Sequence, residues 1–166
     1  MRRGFSFVEL MIVLAVIGIL AALVVPQFQS HASQAKEAAA KNNLQIMRAA
    51  IELYTTQHRD IPPGYPNGDT SMTPLWVLFA AQMVQATNLS GQYDDPGTPG
   101  YPFGPYMKKT PPNPFNGSRN GKILTYSESF PPEATGTSGW IYKPATKMIR
   151  LDWPGTDKKG VRYYDY

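Results

Sequence analysis

The sequence predicts an α+β fold, a long N-terminal helix packed against a small antiparallel β-sheet. Three observations carry that expectation. Pro26 is the only proline before residue 60 and the other 15 follow it, which separates one long helix from a turn-rich remainder. An apolar run from Phe5 to Val25 continues into a stretch rich in Ala, Gln, Lys and Glu that reaches about Arg59, and these four are good helix formers. Short β-rich runs then gather in the last third of the chain.

The apolar run comes first. It holds 21 residues from Phe5 to Val25, and a helix needs about 20 to cross a bilayer core. Arg2 and Arg3 precede it, and short basic flanks stay on the cytoplasmic side, so the remainder is expected outside the cytoplasm. A cleaved secretory signal would use small residues after the run, such as Ser33 and Ala35. A plain signal anchor would carry no charge. Glu9 fits neither, because an ionisable residue inside a membrane segment is costly and marks function by default. The blander reading is a Glu9 shallow enough to reach the headgroups.

Gly4-Phe5-Ser6-Phe7-Val8-Glu9-Leu10, after a short basic leader and before an apolar helix, resembles the prepilin signature of type IV pilins and type II secretion pseudopilins. The resemblance is strong over roughly the first third of the chain and extends to layout beyond it. It implies that a membrane-bound aspartic peptidase cuts between Gly4 and Phe5 and methylates the new N-terminus at Phe5. Glu9 then becomes the fifth mature residue, where the family has its glutamate. The residues themselves suit that chemistry. Gly4 lets a peptidase approach the backbone closely, and a glutamate bundled among apolar helices has to be paired. The freed amine of Phe5 on a neighbouring subunit is the partner that the family implies. Gly18 weakens the helix and Pro26 is expected to kink it; in several pilin-like filaments the helix melts between the corresponding glycine and proline.

Composition excludes other classes. The 166 residues amount to one domain, and the absence of cysteine removes disulfides, thiol catalysis, lipoprotein anchoring and thiolate metal sites together. The formal charge of +4 falls to +2 without Arg2 and Arg3, leaving 14 basic against 12 acidic residues. Basicity is therefore no argument for nucleic acid.

The chain divides into a leader (residues 1–4), a transmembrane and assembly helix (5–25), an amphipathic half-helix (26–59), a connecting region (60–121) and a C-terminal β region (122–166). In the amphipathic half, Leu44, Met47, Ile51, Tyr54 and His58 recur at spacings of three and four and draw one apolar stripe. The whole helix would be roughly 80 Å long at 1.5 Å per residue. An independent coiled coil would require more sustained heptads. Ile61-Pro62-Pro63-Gly64 ends the helix. A second helix is expected from Pro74, capped by Thr73, with Leu75, Leu78, Phe79 and Met83 on one face. Residues 91–120, dense in Pro, Gly and Tyr, read as an ordered surface loop. Strands are expected at Lys122–Tyr126, Trp140–Tyr142 and Lys147–Trp153, with a hairpin turn at Lys143-Pro144-Ala145-Thr146 and a final edge strand at Val161–Tyr166. The hairpin resembles the closing one of pseudopilin-like proteins, with Lys147 where a turn glycine is more usual.

Chemical sites are few. His31 and His58 are the only histidines; without cysteine they build no zinc site, and both read as surface residues. Asp152, Asp157 and Asp165 are candidates for calcium, which a C-terminal loop binds in some major pseudopilins, although their spacing matches no ligand motif. Lys158, Lys159 and Arg162 beside Tyr163 and Tyr164 suit single-stranded DNA, as in an uptake pilin, or simply a solvated basic edge. Asn88-Leu89-Ser90 and Asn116-Gly117-Ser118 match a glycosylation pattern that arises often by chance. No nucleophile, base and orienting group stand together, so no enzyme is expected and no cofactor is implied.

The resemblance implies a structural subunit that polymerises through its N-terminal helix into a pilus or secretion pseudopilus. Its partners would be further copies of the chain, minor pilins or pseudopilins, an inner-membrane assembly platform and the prepilin peptidase. The alternative is a membrane-anchored extracytoplasmic binding protein.

Overall fold

The computed structural model describes residues 6–166, with the backbone alone for residues 23–30. The fold is α+β and forms two compact units, one ending at Lys36 and one spanning Glu37–Tyr166. A single helix, α1 (Phe7–Gln57), supplies all the described structure of the first unit and enters the second. It ends where Arg59 and Asp60 adopt left-handed backbone (φ 55° and 65°), with the Asp60 amide donating back to the Thr55 carbonyl at 3.0 Å.

In the second unit the stripe read from the sequence is the core. Ala40, Leu44, Met47, Ile51 and Tyr54 are all buried on one face of α1, following the three-and-four spacing of a helix against a core. Against them pack Phe79 and Met83 of α2 (Trp76–Val84) and the strand residues Trp140, Tyr142, Ile149 and Leu151. The strands β3 (Gly121–Ile123), β4 (Trp140–Lys143) and β5 (Met148–Leu151) form one sheet in the order β3-β4-β5. Alternation along β4 places Trp140 and Tyr142 in the main core, while Ile141 enters a second small cluster with Leu124 and Tyr164.

The expected antiparallel sheet is in fact mixed. β4 and β5 are antiparallel, with Trp140 opposite Leu151, but β3 runs parallel to β4, with Gly121 opposite Trp140. The connection of residues 124–139 is long enough to carry the chain back to the same end. A second, two-stranded antiparallel sheet, β1 (Ala86–Thr87) with β2 (Tyr93–Asp94), lies in the connecting region, where no strand was expected. The final edge strand does not form. Residues 156 and 162 make one isolated bridge, and Tyr163–Asp165 close into a 3-10 turn with Tyr163 and Tyr164 buried.

Three local expectations change for identifiable reasons. Helix α2 begins at Trp76 with Leu75 as its uncapped preceding residue, because the Leu75 amide donates to Gly64 O at 2.9 Å and holds that strand-like entry. His58 is buried rather than on the surface; its ring stacks on Tyr54 with centroids 3.8 Å apart, and Nδ1–H donates to the Tyr54 carbonyl at 2.7 Å. His31 is exposed. The hairpin turn is a 3-10 turn over Pro144–Thr146, followed by Lys147 at φ 56°, which is the left-handed position that normally favours glycine.

The proline-rich loop is ordered by specific bonds. Trp140 Nε1–H donates to Pro111 O at 3.0 Å and Asn43 Nδ2 to Pro112 O at 2.9 Å. Buried Gln82 ties two further loops together, accepting from the Gly64 amide and donating to Gly91 O, both at 2.7 Å.

Candidate functional site

The residues with the strongest sequence signal lie at the start of α1. Ser6 directly precedes the helix, and its Oγ accepts from the Val8 amide at 3.3 Å. Glu9 Oε2 accepts from the Ser6 amide at 2.9 Å. Ser6 and Glu9 thus satisfy two orphan donors of the first turn reciprocally, as a capping box does. The pattern Ser6-Phe7-Val8-Glu9 spells that box, a signal that the prepilin reading of the same residues passed over. Glu9 also places negative charge at the positive end of the helix dipole.

Beyond this turn, every residue from Ser6 to Ala22 is exposed. Leu14 is 60% and Ile19 64% accessible, and the apolar side chains run round the whole helix instead of along one stripe. A helix apolar on all sides belongs inside a bundle or a membrane. Among the described residues, however, no helix is long and apolar enough to cross a membrane. Gly4 and Phe5, the expected cleavage pair and methylation site, lie outside the described residues. Helix α1 runs unbroken through Gly18 and Pro26, and a Cβ added at Gly18 would meet nothing within 4 Å.

The three calcium candidates are not brought together. Asp152 is fully buried and accepts five bonds, from the Thr135, Gly136 and Ser138 amides and the Thr135 and Ser138 hydroxyls, at 2.6–3.0 Å. Asp157 accepts from the Lys159 and Val161 amides and the Tyr166 hydroxyl, with Lys41 Nζ at 3.8 Å. Asp165 pairs with Arg162 at 2.6 Å and faces Arg150 at 3.8 Å. Each carboxylate is surrounded by donors or cations rather than by the oxygen ligands that calcium requires. Among the described residues no group of three or more histidines or carboxylates gathers. The DNA alternative loses its stacking platform, because Tyr163 and Tyr164 are buried.

The model of the prokaryotic N-terminal methylation motif matches residues 1–25. A type IV major fimbrial protein, FimA, of Dichelobacter nodosus is 31% identical over 143 residues, covering 81% of this chain and 86% of that protein. The type II secretion system core protein G of Pseudomonas aeruginosa is 47% identical over 53 residues, 32% of this chain and 37% of that protein. The type IV major pilin protein PilA of Myxococcus xanthus is 48% identical over 56 residues, 34% of this chain and 26% of that protein. The chain thus spans about a third of the core protein G that it matches, and most of the FimA sequence. No solved structure matches.

Proposed function

The chain belongs to the family of type IV pilins and type II secretion pseudopilins, and we propose that it is a structural subunit of a pilus-like filament or secretion pseudopilus. The observation that carries the proposal is Glu9, the single charge among the exposed apolar side chains of residues 6–22, inside a matched methylation motif. Peptidase cleavage between Gly4 and Phe5, with methylation of Phe5, precedes assembly. Before assembly the subunit is anchored in the inner membrane by residues 5–25, with its second unit outside the cytoplasm. The minor subunits, the assembly platform and the peptidase are its further partners. In the bundle, Glu9 pairs with the Phe5 amine of an adjacent subunit, which offsets the cost of burying a carboxylate among apolar helices. Gly18 and Pro26 mark where the helix melts on assembly. The role is structural, as in the pilin relatives.

The capping bond allows a sharp test. Glu9→Ala removes both the cap acceptor and the charge, whereas Glu9→Gln keeps the acceptor and loses only the charge. Both variants are expected to be cleaved normally, by N-terminal sequencing of the membrane fraction, and to yield at least about tenfold fewer filaments by electron microscopy. Abundant filaments from Glu9→Gln would assign Glu9 to helix capping alone. Uncleaved wild-type chain, retaining Gly4, would sink the subunit reading.

A further inference from the structure

We propose that the second unit binds a neutral saccharide, in a cleft where the loop between α1 and α2 meets the turn after β3. Two adjoining hollows of about 280 and 420 Å³ make up the cleft, and both are lined by Tyr65, Thr70, Ser71 and Tyr126. Hollows of this size hold small organic ligands.

The chemistry of the walls selects the ligand. Seven of the nine residues around the first hollow carry a hydroxyl, and none of the nine carries a charge. Around the second, the charged residues are Asp60 and Lys147, which pair with each other at 2.6 Å. Glu128 and the nearby Lys122 and Lys143 line neither hollow. No unpaired charge is therefore offered to a phosphate, a carboxylate or an ammonium group, each of which is recognised through charge-assisted bonds.

The hydroxyls are free to bind. Among the described residues, the side chains of Thr70, Thr73, Tyr126 and Ser127 make no hydrogen bond. Tyr65 is only 4% exposed, yet its hydroxyl also lacks a partner and is not among the polar atoms sealed in the core. A hydroxyl both donates and accepts, so a wall of them complements a ligand that is itself a ring of hydroxyls. Tyr126 supplies the flat surface. It is 81% exposed, the most exposed large apolar side chain of the second unit, and the negative face of an aromatic ring attracts the weakly positive C–H face of a sugar ring.

Local bonds hold the walls in place before a ligand arrives. Asp69 Oδ1 accepts from the Ser71 amide at 2.9 Å and its hydroxyl at 2.6 Å. Gln82 accepts from the Gly64 amide and donates to Tyr65 O. Across the cleft, Glu128 Oε2 accepts from the Thr125 amide at 2.7 Å and its hydroxyl at 2.9 Å. Walls fixed in advance lose little freedom on binding.

The test uses the full chain in an amine-oxide detergent, because a sugar detergent would compete for the cleft. Saturation-transfer NMR is recorded with lactose, maltotriose, mannotriose and tri-N-acetylchitotriose, and with sialyllactose and decaproline beside them. At least one of the neutral sugars is expected to bind. Tyr126→Ala should weaken that binding by about tenfold and Tyr126→Trp should retain it. Tyr65→Phe, which removes only the hydroxyl, should weaken it by about threefold at an unchanged melting midpoint. No transfer from any of the four neutral sugars would overturn the site, as would binding that Tyr126→Ala leaves unchanged. A preference for sialyllactose over lactose, or binding of decaproline alone, would assign the cleft to an anion or a peptide and overturn it too. Filament yield is expected to be the same in Tyr126→Ala as in the wild type, so the filament reading stands or falls separately. Loss of filaments in that variant would place the ring in a subunit contact and overturn the saccharide site.

Discussion

The two units of this chain handle apolar side chains in opposite ways. Up to Ala22 the helix exposes Leu, Ile and Val on every side, although no stretch of the chain is richer in them. From Ala40 onward the same helix shows a single buried stripe, and what lies off the stripe is polar or small apart from the exposed Ile46 and Leu53. One continuous helix thus has two solvents in view. Both parts are helical despite different compositions, and what differs is cover: sheet and loops bury the apolar stripe of one, and nothing in the chain covers the described apolar side chains of the other.

Paired truncations break or sharpen that contrast. Trp140 is fully buried in the core, and Trp140→Ala is expected to destabilise the second unit by about 3–5 kcal/mol in urea unfolding. Leu14→Ala, at a 60% exposed position, should leave that unfolding unchanged and reduce filament yield. Equal effects of the two on unfolding would mean that the first unit has tertiary partners of its own.

A smaller loss is expected from Asp152→Asn. Burial pushes the Asp152 carboxyl up, but bonds from Ser138, Thr135 and Gly136 outweigh it and hold the pKa below the usual carboxylate value. The native pKa is depressed, so the contribution is complete above the unfolded value of about 3.9 and is lost as pH falls through the native one. The substitution should cost about 2–3 kcal/mol and open residues 135–138 to proteolysis. Calcium or chelator is expected to change neither variant. A rise in stability with calcium would revive the metal reading.

His58 gives a weaker, pH-dependent effect of a different window. Burial lowers its pKa, outweighing the bond that Nδ1–H donates to the Tyr54 carbonyl. Below about pH 6.5 the unfolded chain takes up a proton that the native ring refuses, so stability falls as pH drops from there toward the native pKa. A measurable loss of stability between about pH 6.5 and about pH 5 is expected, and His58→Phe should flatten it while keeping the stack on Tyr54. The smallest change belongs to Lys147→Gly. Glycine relieves the left-handed backbone at Lys147 by about 1 kcal/mol, and loss of the Lys147–Asp60 pair, at 2.6 Å, opposes it by about 0–1 kcal/mol. The melting midpoint should move by no more than a few degrees.

The sequence by itself determined the long helix, its buried stripe from Leu44 to Tyr54, the β4–β5 hairpin and the family, because each of these is local: a 3.6-residue period, an alternation, a turn, a motif of seven residues. Pattern alone also contained the Ser6–Glu9 capping box. Only the tertiary structure decided which way β3 runs, since strand direction depends on where a 16-residue connection returns rather than on the strand's own residues. It also decided the buried polar groups. Gln82 and Asp152 look like surface residues in a string of letters, and each is stable inside because donors and acceptors from residues up to 18 positions away converge on it; His58 is covered by packed rings instead. A period can announce that a face is apolar, but satisfying a buried carboxylate or amide requires partners whose positions the fold alone supplies.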